Sequence, residues 1–168
     1  MKIVLKFGGT SLASPKDIRN VAKTITSFSK GNQIVVVCSA VDGVTDDLIT
    51  ISRLIEQRRK NNIVANLNGV IIKHRKLANQ TIKNSVIKKQ LLEKLNTDVS
   101  ELQELVRGLT LLKEVSARSL DYLISFGERL SDDLVSYALQ DLKKKSTALN
   151  GKEVGIVTDS NFGESRPL

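Results

Sequence analysis

The 168-residue sequence has no tryptophan, one cysteine, one histidine, one methionine and two prolines, and only 4% of it is aromatic. Each scarcity excludes something. A single cysteine, Cys38, allows no intramolecular disulfide, and its place in the apolar run QIVVVCS reads as a core thiol in a reducing cytoplasm. One histidine and one cysteine are too few for a His/Cys metal cluster, and His74, alone in the basic stretch, has no assigned role. No apolar run reaches the ~18–20 residues of a membrane-spanning helix. The start, MKIVLKFGGTSLAS, has a signal-like lysine and apolar run, but Lys6 interrupts the run and glycines follow at once, so a buried strand is expected.

The formal charge is +8, with 26% charged residues. The excess is local. Between Arg53 and Lys94 lie eleven basic and two acidic residues, whereas the remainder is nearly balanced, with fifteen basic and sixteen acidic. Nucleic-acid binders place aromatics beside their basic residues for stacking. This stretch has no Phe, Tyr or Trp, so it reads as a solvated helical face, with neither nucleic acid nor membrane as a partner.

What is present is a βαβ pattern. Lys2–Phe7 is a β-branched run ended by Gly8-Gly9. Ser14-Pro15 opens a helix with Ile18, Val21, Ala22 and Ile25 at helical spacing. Lys30-Gly31-Asn32 ends it, and residues 33–39 form a second buried strand, parallel to the first by the rule for such crossovers. A further helix starts near Thr45, a candidate cap, with Asp46 and Asp47 in its first turn. Residues 63–115 read as helical throughout, without proline, with breaks expected near Asn84-Ser85 and Asn96-Thr97-Asp98. Residues 119–142 resume helical periodicity with Gly127 in the middle, where a close approach or a kink is expected. Residues 146–149 and 154–157 are short strand candidates, followed by a polar loop.

Three stretches could carry chemistry. A lysine at a strand end followed by Gly8, Gly9, Thr10 and Ser11 suits a phosphate, since glycines expose backbone N–H groups and Lys6 adds charge. It is not a Walker A loop, in which lysine follows the glycines, and an ordinary turn after a strand would look similar. Residues 39–45 place Ser39 and Thr45 at the carboxyl end of a strand, where open parallel sheets bind ligands, although both could be local caps. Glu128, beside Gly127 in an apolar helix, is either a partly buried carboxylate or a surface glutamate beside Arg129.

In combination, Lys6-Phe7-Gly8-Gly9-Thr10-Ser11, the strand ending in Ser39-Ala40, Ser125-Phe126-Gly127-Glu128-Arg129-Leu130-Ser131 and the closing Thr158-Asp159-Ser160-Asn161-Phe162-Gly163 resemble the aspartate kinases of the amino-acid-kinase family. Glutamate 5-kinase, acetylglutamate kinase and uridylate kinase share a Lys-x-Gly-Gly-type start without this pair of motifs. The resemblance implies an α/β fold: a three-layer αβα sandwich with a mainly parallel sheet. Residues 1–168 would be its amino-terminal, acceptor-binding lobe, with a helical insertion at about 61–116. It implies ATP-dependent phosphorylation of the L-aspartate side chain. Lys6 would meet the transferring phosphoryl group, Gly8 and Gly9 would admit phosphate oxygens, and Thr10 and Ser11 would line the same turn. Ser39 and Thr45 would bind aspartate, and Glu128 would face its ammonium. Asp132 and Asp133 receive no role. The family's Gly-Arg-Gly-Gly-Ser-Asp-type motif, nucleotide-binding strands and ACT domains do not occur in these residues. ATP and Mg2+ are therefore expected to be held largely elsewhere, the fragment to be inactive alone, and the full-length enzyme to be a cytoplasmic homo-oligomer. Other acceptors within the family, or a basic binding module that keeps the fold without activity, are the alternative readings.

Overall fold

A computed structural model describes all residues, 1–168. Strand β1 (Lys2–Phe7) pairs in parallel with β2 (Gln33–Cys38), Lys2 opposite Gln33 and Phe7 opposite Cys38. Between them, Gly9–Leu12 forms a 3-10 turn and Pro15–Phe28 forms helix α1. As expected, Ser14 caps α1: its hydroxyl accepts the Asp17 N–H at 3.2 Å, with Pro15 in the first position. Four helices follow: α2 (Val44–Glu56), α3 (Lys60–Thr81), α4 (Ser85–Leu112) and α5 (Ala117–Asp141).

Alternation along the strands decides where the sheet packs. Leu5, Phe7, Ile34 and Val36 face the helices and join a cluster of 33 buried apolar residues. That cluster runs without interruption from Leu12 and Ile18 through Leu91 and Leu102 to Leu139. The helical segment therefore shares one core with the βαβ unit. On the other face, Val4, Val35 and Val37 are 67%, 57% and 46% exposed. The helices of this chain cover one side of the sheet, so two of the three expected layers are present in these residues. No helix is long and apolar enough to cross a membrane.

The expected break near Asn84-Ser85 is present. Asn84 caps α4, its side-chain oxygen accepting the N–H groups of Val86 at 2.9 Å and Ile87 at 3.2 Å. The break expected at Asn96-Thr97-Asp98 is absent, and α4 runs through it. Thr97 and Ser100 hydroxyls donate back to the carbonyls of Glu93 and Asn96, at 3.3 and 2.9 Å. Asp98 is buried against α5. Thr45 does not cap α2. Gly43, at φ 77°, precedes the first residue Val44, so Thr45 lies inside the first turn. Residues 146–149 and 154–157 are not strands. The second of these folds into local turns, with Ile156 N–H donating to Gly151 O at 2.8 Å. Residues 144–149 pass beside the open edge of β2 and leave a cleft of about 320 Å³ lined by Ile34, Val36, Cys38 and Asp132.

Candidate functional site

The two βα connections meet at the carboxyl edge of the sheet. Ser39 N–H donates to Phe7 O at 3.0 Å, which extends the ladder one residue past β2. The chain then turns through residues 40–43 into α2. A Cβ on Gly9 would stand 2.8 Å from Ala40 O and 3.3 Å from Asp42 N. Only glycine fits there, because the first turn rests directly on the second. The Gly8 position has nothing within 4 Å of where a Cβ would be, so that backbone is open to a ligand.

Helix α5 closes the site from the helical side. A Cβ on Gly127 would lie 2.7 Å from the Ala40 Cβ and 3.6 Å from Val44 and Leu48 side-chain atoms. The mid-helix glycine is thus a close approach. Ala40 is wedged between Gly9 and Gly127, and the next residue, Glu128, accepts the Ala40 N–H at 3.3 Å. Ser131 donates its hydroxyl to Ser39 O at 2.7 Å.

Gly8, Gly9, Ser39 and Glu128 therefore lie around one edge. Lys6 stands one residue before the end of β1, exposed on the outward face and opposite Val37. Thr10 and Ser11 are exposed in the 3-10 turn, and Thr45 is half-buried at the start of α2. Two contributors were not read from the sequence. Lys73, from α3, donates to Asp42 O at 2.9 Å and stands 3.8 Å from Asp47, so one cation of the basic stretch buttresses the site. Nothing in the local sequence marks it. Ser131 does carry a signal, since it follows Glu128 by three residues and shares its helix face.

Behind the site, α4 and α5 are joined by buried charge. Arg129 donates to Asp98 at 2.7 Å and Glu101 at 2.6 Å and lies over the Phe126 ring. Tyr122 donates to the other Glu101 oxygen. Lys94 meets Asp98 at 2.5 Å and stands 3.4 Å from Asp133 Oδ2, within ion-pair range but outside hydrogen-bond geometry. Burial pulls the Asp98 carboxyl upward, yet hydrogen bonds from Lys94, Asp133 and Arg129 outweigh it and hold it below the usual range. Burial first, and then the hydrogen bond with Asp98, push Asp133 up to about 7. Asp132 is pushed to about 6, by burial and then by the Glu128 charge. Burial, with Asp132 beside it, pushes the Cys38 thiol up to about 12, as suits an inert core thiol.

The profile described as Amino acid kinase family matches residues 1–167. The chain belongs to the amino acid kinase family. Among relatives in this family, Aspartokinase 1, chloroplastic, of Arabidopsis thaliana is 31% identical over 163 residues, which cover 95% of this chain and 27% of that protein. The aspartokinase of Corynebacterium efficiens is 27% identical, over 98% of this chain and 26% of that protein. The crystal structure of E. coli aspartokinase III in complex with aspartate and ADP superposes with a TM-score of 0.84 at 22% identity, over 99% of this chain and 35% of that one. The fold is therefore that of the amino-terminal part of such kinases, and the chain spans about a quarter to a third of the length of the proteins it matches.

Proposed function

We propose that this chain is the acceptor-binding part of an ATP-dependent aspartate kinase, which phosphorylates the side-chain carboxylate of L-aspartate. The observation that carries the reading is the meeting of the Gly8-Gly9 turn, the loop from Ser39 to Asp42 and Glu128 at the carboxyl edge of a parallel sheet. The aspartokinase relatives support the choice of acceptor. The nucleophile is a carboxylate, ionised at neutral pH, so no general base is required and positioning with charge neutralisation carries the step. Exposed Lys6 neutralises the transferring phosphoryl group beside the open backbone at Gly8. Ser39 and Thr45 hold the amino acid, Thr10 and Ser11 line the phosphate side, and Glu128 pairs with the ammonium. The Gly-Arg-Gly-Gly-Ser-Asp-type motif of the aspartate kinases does not occur in these residues, so magnesium and most of the ATP are assigned to residues outside this stretch, and no step is derived through the metal. The enzyme is read as a cytoplasmic homo-oligomer.

The test is ADP release with ATP and magnesium, on protein that also carries the nucleotide half. L-Aspartate supports turnover, whereas L-glutamate, N-acetyl-L-glutamate and uridylate do not. Lys6→Ala lowers kcat by roughly 10²-fold, the scale of one lost transition-state contact. Glu128→Ala chiefly raises the KM for aspartate. Preference for another acceptor refutes the substrate assignment. Aspartate-dependent turnover by the 168-residue chain alone, on the order of 1–10³ per second, refutes the assignment of the nucleotide site elsewhere.

A further inference from the structure

One helix holds both ends of the peptide unit that joins Ser39 to Ala40. Its carbonyl accepts the Ser131 hydroxyl at 2.7 Å, and its N–H donates to Glu128 Oε1 at 3.3 Å. A planar peptide held at its oxygen and at its nitrogen cannot rotate about the bonds that flank it. The direction of the Ser39 side chain and the seat of the Glu128 carboxylate are then set together.

The two ties are unequal. Ser131 is fully buried, and its short bond to Ser39 O is shared with Glu128 O at 2.9 Å. Glu128 is half-buried, its bond to Ala40 is long, and its carboxylate has no second hydrogen bond within the chain. Gly9 packs against the Ala40 carbonyl oxygen and Gly127 against the Ala40 methyl, and neither hydrogen-bonds the Ser39–Ala40 peptide. Of the two groups that do, the Ser131 hydroxyl makes the shorter bond and is placed to fix the tilt of the peptide plane.

We propose that Ser131 is a positioning residue for the acceptor site: through the Ser39 carbonyl, its hydroxyl sets the peptide plane against which Glu128 is aligned. The word acceptor rests on the function proposed above; the clamp does not.

The clamp can be read without ligand, by amide NMR on the 15N-labelled chain. In the wild type, the Ala40 amide is protected from exchange, and Glu128→Ala, which removes its acceptor, moves its shift and speeds its exchange. Ser131→Ala is expected to speed Ala40 exchange about tenfold, the scale of one net hydrogen bond, with helical content unchanged. Ser131→Thr, which keeps the hydroxyl, retains the protection. An Ala40 amide as protected in Ser131→Ala as in the wild type overturns the proposal. If Ser131→Ala does not fold, the wild type decides: fast exchange at Ala40, or an Ala40 amide indifferent to Glu128→Ala, overturns it equally. A chain that shows the clamp but no response to L-aspartate refutes the functional reading and upholds the clamp.

Discussion

Gly127→Ala tests the packing that builds the site. In an unobstructed helix interior, Gly→Ala stabilises by about 1 kcal/mol. Gly108 in α4 has nothing within 4 Å of its missing Cβ, so Gly108→Ala should show that gain. At Gly127 the added carbon would meet the Ala40 Cβ at 2.7 Å. Carbon atoms in contact prefer about 3.5–4.0 Å, so helix and loop must separate by about 1 Å. Overpacking of that kind costs roughly 1–3 kcal/mol. It offsets the helical gain and leaves a net loss of about 1 kcal/mol. The two variants should therefore differ by roughly 2 kcal/mol, which is about 1 M in urea midpoint at a typical slope for a domain of this size. Ala40→Gly removes the opposing methyl, so in the double variant Gly127→Ala should again be stabilising, a coupling readable from a double-mutant cycle. The assay is urea unfolding followed by circular dichroism. A Gly127→Ala chain as stable as Gly108→Ala, or a cycle without coupling, would refute the reasoning.

Two further perturbations address the helical segment. Burial pulls buried His74 down to about 4 from an ordinary 6.5; Nδ1 lies 2.8 Å from Val70 O, and Nε2 is without a partner. The unfolded chain then binds the extra proton first as pH falls, so the His74 contribution is complete above about pH 6.5 and is lost as pH falls through 4, by roughly 3 kcal/mol in all. Asp132 and Asp133 are raised and act in the opposite sense, losing stability as pH rises through about 6 and 7. The difference between wild type and His74→Gln across pH 4–7 isolates the histidine, and parallel stability curves would contradict its assignment. Arg129→Ala strips the buried Asp98 carboxylate of its guanidinium while Lys94 remains, so a loss of roughly 3 kcal/mol is expected in urea unfolding. A change below about 1 kcal/mol, the worth of a surface pair, would place that network at the surface.

The elements that build the edge were legible because their signals are local. β1 and β2 are short β-branched runs, α1 carries its own Ser14-Pro15 start, and Asn84 announces α4. The misreadings occur where tertiary contacts override those signals. Asn96-Thr97-Asp98 has the composition of a break, but Asp98 is held in the helix by Lys94, one turn before it, and by Arg129, 31 positions away and out of sight of a local window. Residues 146–149 have strand composition, but a strand exists only through a neighbour's hydrogen bonds, and β2 makes none with them. The motif glycines and Glu128 were visible in the candidate site. That Gly9 and Gly127 grip the same alanine, and that Lys73 reaches Asp42 from a helix 31 positions away, emerges only in three dimensions.

The most direct measurement of the central claim is an amide NMR titration of the 168-residue chain with L-aspartate and, separately, with succinate, which has both carboxylates but no ammonium. The account predicts that L-aspartate shifts the amides of Gly8, Gly9, Ser39, Ala40 and Thr45, that Glu128→Ala removes the response, and that succinate produces far smaller changes. Equal responses to both compounds, or shifts confined to the exposed basic face of α3 and α4, would contradict it.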